Sequence, residues 1–152
     1  MVRFTGGKVV VRCLEEEDVQ VIFGMPGINV LSLYDALRES SIRHFLIKNE
    51  QSAAFMADAY ARVTGTTGVY VTTAGPGLTN ALTGLATAFS DSISVIALAG
   101  EIPSNLIGKN KGVLHEINQT ALSSPVTRTA CHVRRAVRQA GLRGVHCAGS
   151  VL

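Results

Sequence analysis

Four short apolar runs, each closed by a turn and each separated from the next by a stretch of helical period, set the pattern of this chain. Val19-Gln-Val-Ile-Phe23 stops at Gly24-Met-Pro-Gly27, and Arg43 to Ile47 runs into Lys48-Asn-Glu50. Gly68-Val-Tyr-Val-Thr-Thr73 is delivered into Ala74-Gly-Pro-Gly77, and Ser94 to Ala99 ends at Gly100-Glu-Ile-Pro103. Unbroken apolar runs of this length read as buried strands of a parallel sheet. The first helical stretch spans Gly7 to Glu17, with Val9, Val10, Cys13 and Leu14 on one stripe and Glu15 to Glu17 facing water. Asn29 is a candidate N-cap for a helix from Val30 to Glu39, whose apolar face is Leu31, Leu33, Tyr34 and Leu37. Ala53, Ala54, Ala57, Tyr60 and Ala61 mark a third helix that closes at Gly65, and a fourth runs on from Gly-Pro-Gly to Phe89. The alternation predicts an α/β fold with a doubly wound, mostly parallel sheet.

Glu50 is the residue around which this arrangement acquires chemistry. It falls at the C-terminal edge of a sheet and in the first turn of a helix, and in open parallel sheets that edge is where ligands bind. Taken alone, it reads equally as a first-turn acid favoured by the helix dipole, and Gly24–Gly27 as a plain turn. Together, three strand ends (Gly24–Gly27, Glu50 and Thr73–Asn80) should converge on one rim. They offer a carboxylate, hydroxyl and amide groups, and bare backbone. Neither Gly-x-Gly-x-x-Gly nor Gly-Lys-Ser/Thr is present, and no cation stands ready for a phosphate. A flat, uncharged heterocycle suits such a rim.

Composition narrows the alternatives. The 152 residues suit one domain, and the 47% apolar content contains no run long enough to span a bilayer. The N-terminus carries no apolar block leading to a cleavage site, so the expected compartment is the cytoplasm. Three scattered cysteines support neither a disulfide framework nor a zinc site, and no metal ligands are expected on this chain. The net charge of +3 is misleading: Thr129 to Leu152 holds four arginines and no acid, which leaves ten basic and eleven acidic side chains on residues 1–128. That body has no basic, aromatic-bearing face for nucleic acid.

The motifs Phe23-Gly-Met-Pro-Gly, Lys48-Asn-Glu-Gln-Ser-Ala-Ala-Phe-Met-Ala-Asp-Ala-Tyr-Ala-Arg, Thr73-Ala-Gly-Pro-Gly-Leu-Thr-Asn and Asp91-Ser-Ile-Ser-Val-Ile follow one another in order. In that order the chain resembles, over roughly residues 3 to 128, the N-terminal pyrimidine-binding domain of thiamine-diphosphate-dependent enzymes. The nearest group is that of acetolactate synthase, pyruvate oxidase and benzoylformate decarboxylase. The resemblance implies a three-layer α/β/α sandwich and thiamine diphosphate as cofactor. Glu50 matches the family's glutamate, which hydrogen-bonds the ring nitrogen of the cofactor's aminopyrimidine and drives the imino tautomer that removes the thiazolium proton. That role asks for a buried acid whose protonated form desolvation favours. Pro26, Gly27, Thr73, Pro76 and Asn80 match positions lining the pyrimidine. In Leu114-His-Glu116, His115 replaces a glutamine that approaches the reaction centre in the synthases, a departure that counts against acetolactate synthase activity itself. As a plain loop histidine it would need no role.

Two further departures shape the expectation. The family's Gly-Asp-Gly…Asn motif, which holds Mg²⁺ and the diphosphate in a separate domain, does not occur here. The resemblance therefore implies a fragment or separate subunit that needs a diphosphate-binding domain or subunit as partner and is inactive alone. It also implies homo-oligomers. The second departure is the basic tail, 129–152, which reads as out of frame or disordered, with Val133, Val137, Ala140 and Leu142 able to form one short amphipathic helix. A non-catalytic module that dimerises or binds a partner is the alternative function.

Overall fold

A computed structural model describes residues 5–109, 111–133 and 150–151. The helices are α1 (Gly6–Glu16), α2 (Leu31–Leu37), α3 (Glu50–Thr64), α4 (Pro76–Ser90) and α5 (Gln119–Ser123). The strands are β1 (Val21–Gly24), β2 (Arg43–Leu46), β3 (Gly68–Thr72), β4 (Val95–Ala99), β5 (Thr129–Ala130) and β6 (Ser150–Val151). All strand pairings among the described residues are parallel, in the order β2-β1-β3-β4-β6-β5. The direction of winding reverses between β1 and β3, the place where an open parallel sheet leaves a crevice at its carboxyl ends.

Alternation along the strands divides the core into two layers. Val21, Phe23, Tyr70, Val95 and Ala97 pack with Ala53, Ala54 and Ala57 of α3 and Leu78, Ala81, Leu85 and Ala88 of α4. Ile22, Val69, Val71 and Leu98 face the other way, onto Val11 and Leu14 of α1 and Leu33, Ala36 and Leu37 of α2. This is the expected three-layer α/β/α sandwich. Burial on both faces is why the strands carry continuous apolar runs instead of alternating ones.

Small side chains set the helix spacing. A Cβ at Gly7 would stand 2.1 Å from the Ser32 carbonyl oxygen, which fixes α1 against α2, and one at Gly68 would stand 2.0 Å from the Ala57 oxygen, which seats α3 on β3. The helix α3 begins at Asn49, whose Oδ1 accepts from the N–H groups of Gln51 and Ser52, and ends at Gly65 with φ of 70°. Asn49 caps donors that would otherwise be unpaired, and the left-handed Gly65 stops the helix where the sequence places its end.

Several local expectations change. Arg43–Leu46 is an edge strand, not a buried one: among the described residues it pairs with β1 alone, and Phe45 and Leu46 are 41% and 64% exposed. The α1 stripe is Gly7, Val11 and Leu14, with Val9, Val10 and Cys13 only half-buried. Leu31 lies outside the α2 core, because a short 3₁₀ turn over Ile28–Val30 rotates the start of the helix. The sheet also runs past residue 128 through Thr129–Ala130 and Ser150–Val151. Of the helix proposed for the tail, all but Val133 lies outside the described residues.

Candidate functional site

The turns after β1, β3 and β4 are laced together at the carboxyl rim. A Cβ on Gly27 would meet Cβ and Oγ1 of Thr73 at 2.8 Å, so the first turn lies directly against the third strand's end. Thr73 Oγ1 donates to Asn29 Oδ1 at 3.1 Å, and Asn29 Nδ2 donates to the Glu101 carbonyl at 3.1 Å. Asn29 is therefore not the N-cap its position suggests. With Gly27 at the cap of the 3₁₀ turn, the Asn29 side chain is free to bridge the turns after β3 and β4.

Gln119 closes the lattice from α5. Its Oε1 accepts from the Gly75 N–H at 3.1 Å, and its Nε2 donates to the Gly100 carbonyl at 2.8 Å and to Glu101 Oε2 at 3.1 Å. The side chain is buried and its amide is used at both ends, as buried amides must be. Gly75 has φ of 63°, and a Cβ there would stand 2.6 Å from the His115 carbonyl oxygen. Glycine is required at that position on both counts. His115 is itself left-handed, at φ 72°. Its backbone and Cβ pack on Gly75, and among the described residues its half-buried side chain makes no hydrogen bond with the other predicted residues.

Glu50 opens α3, and Asn80 lies near the start of α4. Asn80 Nδ2 donates to Glu50 Oε2 at 3.1 Å, while Oε1 has no hydrogen-bond partner among the described residues. Glu50 is half-buried, not enclosed as its expected role would require, so water reaches it from the open side of the rim. Among the described residues, no hydrogen bond joins the Glu50–Asn80 pair to the Thr73 lattice. Pro26 and Pro76 are both exposed, and Pro76 occupies the first turn of α4, where its missing N–H costs nothing.

The structure thus pairs Glu50 with Asn80 and Gly27 with Thr73, and it sets His115 behind Gly75. Sequence reasoning missed Gln119, Glu101 and the bridging role of Asn29. A glutamine in a short polar helix carries no periodic signal, and its partners are backbone groups some 19 to 44 residues away. A cleft of about 430 Å³ adjoins this lattice, lined by Glu101, Ile107, Glu116, Gln119 and His132. Among the described residues, no three His, Cys, Asp or Glu side chains gather as a metal ion would need.

Below the rim, Tyr34 Oη lies 3.2 Å from His44 Nε2, the two rings meeting edge to face. Burial pushes the Tyr34 hydroxyl up and holds the His44 imidazole below its usual range, the latter opposed by a hydrogen bond to the Gly24 backbone. A Cβ on Gly24 would come within 2.9 Å of the Tyr34 oxygen, so this pair backs the start of the first turn.

Residues 4–122 match the family model described as thiamine pyrophosphate enzyme, N-terminal TPP binding domain. The chain is 44% identical over 130 residues to a probable acetolactate synthase large subunit from Methanocaldococcus jannaschii, covering 86% of this chain and 22% of that protein. It is 42% identical over 136 residues to the acetolactate synthase isozyme 3 large subunit of Escherichia coli, covering 89% and 23% respectively. With a probable 2-ketoarginine decarboxylase from Pseudomonas aeruginosa it shares 43% identity over 124 residues, covering 81% and 22%. The chain therefore spans about a fifth of the length of these relatives.

Proposed function

The chain belongs to the thiamine pyrophosphate enzyme family, as an N-terminal TPP-binding domain, and on that footing we propose that it supplies the aminopyrimidine half of a thiamine diphosphate site in an acetolactate synthase-like enzyme acting on 2-oxo acids. The observation that carries the reading is Glu50 at the carboxyl rim, held through Oε2 by Asn80 with Oε1 open. A carboxyl group so placed fits a ring nitrogen, with which it can share or exchange a proton. When bound, thiamine diphosphate supplies a thiazolium carbon able to attack a 2-oxo acid's carbonyl.

Within this reading each residue has a bounded task. Glu50 holds the proton at the ring nitrogen. Pro26 and Pro76 offer rigid apolar faces to the ring, and Gly27 keeps the first turn low enough to admit it. Thr73 acts through the lattice, since its hydroxyl is already committed to Asn29. His115 lies in the loop behind Gly75 and would approach the reacting groups from there. We assign Mg²⁺ and the diphosphate to a further domain or subunit, closure by which would remove Glu50 from water. Relatives about five times longer than the matched region support that assignment. The proposed compartment is the cytoplasm; no helix among the described residues is long and apolar enough to cross a membrane.

Self-association is supported by apolar side chains that α3 and the end of α4 leave exposed. Phe55, Met56, Val63 and Phe89 are 39%, 44%, 87% and 40% exposed, apolar area whose burial favours a homo-oligomer. The same surface would serve a non-catalytic module that dimerises or binds a partner. The two readings separate on one experiment: mixing the chain with a diphosphate-binding domain of this family, Mg²⁺ and thiamine diphosphate, then following deuterium exchange at the thiazolium carbon. Exchange that appears only in the mixture and is lost in Glu50→Gln is the expected result. Exchange unimpaired by Glu50→Gln would overturn the assignment.

A further inference from the structure

We propose that Asn80 is a positioning residue for Glu50, pinning one carboxylate oxygen so that only the other meets the ligand. The inference deepens the aminopyrimidine reading above and rests on it. A carboxylate can only accept, so the amide must face it with Nδ2, and an amide N–H₂ can only donate. Oε2, 3.1 Å from Nδ2, is thereby kept as an acceptor. Any proton the carboxyl exchanges with a ring nitrogen must then sit on Oε1, the oxygen with no hydrogen-bond partner among the described residues.

The placement of the pair makes this more than a surface contact. Glu50 is the first residue of α3, and Asn80 lies within the first turns of α4. The two helices are locked side by side through Ala54 and Gly84, whose approach leaves no room for a methyl group. Donor and acceptor are therefore carried on two rigid elements that cannot slide past each other. A free glutamate would present either oxygen over a range of rotamers; one tied across a helix–helix seam presents one oxygen in one direction, which is what directed proton transfer needs. The cost of orienting the carboxyl is met in the fold before any ligand arrives.

The test uses isotopically labelled chain and thiamine as the probe. Asn80→Ala should weaken thiamine binding roughly 3- to 10-fold, the effect of losing one solvent-exposed hydrogen bond, while leaving the melting temperature near that of the wild type. Asn80→Asp places two carboxylates in contact. Its binding should fall at neutral pH and recover on acidification, when the pair takes up a proton, a profile that a merely structural role would not produce. Without any ligand, the Glu50 ¹³Cδ resonance should move in Asn80→Ala and stay in place in the control Thr83→Ala. If Glu50→Gln weakens binding but both Asn80 variants bind as the wild type does, or if the resonance is unmoved, the positioning role is wrong. If Glu50→Gln binds thiamine unchanged, the aminopyrimidine reading itself fails, whatever Asn80 does.

Discussion

Gly84 on α4 faces Ala54 on α3 so closely that a Cβ built on the glycine would stand 2.7 Å from the alanine Cβ and 3.0 Å from the Phe55 backbone nitrogen. Neither atom can rotate away. Gly84→Ala gains about 1 kcal/mol of helix propensity but meets an overlap of about 1–3 kcal/mol, so it should be modestly destabilising. Gly84→Val adds bulk and branching at the same contact and should cost about 2–3 kcal/mol. Denaturant unfolding measures both, and a valine variant as stable as the wild type would show that the helices can part.

Gln119 joins the Gly75 turn to the backbone at the end of β4. Gln119→Leu leaves the Gly75 N–H and the Gly100 carbonyl without their partner, and each unpaired buried group costs about 1–3 kcal/mol. Gln119→Glu behaves differently, because its carboxylate would face that of Glu101 across 3.1 Å. That variant should be unstable at neutral pH and regain stability on mild acidification, whereas the leucine variant should not. Thermal melts between pH 7.5 and 5 distinguish them, and parallel pH profiles would remove Gln119 from its place in the lattice.

His44 provides a pH dependence of stated sign. Burial lowers its folded-state pKa below the ordinary 6.5, so between those values the unfolded chain binds more protons than the folded one. The stability it contributes is complete above about pH 6.5 and is lost as the pH falls from there through the lower folded value. His44→Phe keeps a ring against Tyr34 and removes the titration. Its melting temperature should therefore decline less between pH 7 and 5 than that of the wild type; equal slopes would show that the imidazole charges freely in the fold.

Tyr70 is fully buried on the central strand, and its hydroxyl has no hydrogen-bond partner among the described residues. An unsatisfied buried hydroxyl costs free energy that a phenylalanine does not. Tyr70→Phe should leave unfolding free energy unchanged or raise it by up to about 1 kcal/mol. A loss of more than about 1 kcal/mol, read by denaturant unfolding, would mean that the hydroxyl finds a buried water.

What the amino-acid order determined by itself is local or periodic. Continuous apolar strands buried on both faces, the cap at Gly65, the small-residue helices and the placing of Glu50 at a strand-to-helix junction all follow from spacing. Those features arise from backbone preference and from which side chains must leave water, both carried within a dozen residues. Tertiary structure decided which strand became the exposed edge, so that Phe45 and Leu46 read as core yet lie outside it. It also turned Asn29 from a cap into a bridge, brought Gln119 onto Gly75 and Gly100, and gave Glu50 its partner in Asn80, 30 residues further on. Each depends on distant backbone brought together by sheet order and helix packing. A polar side chain's partner is fixed only when the rest of the fold has been built around it.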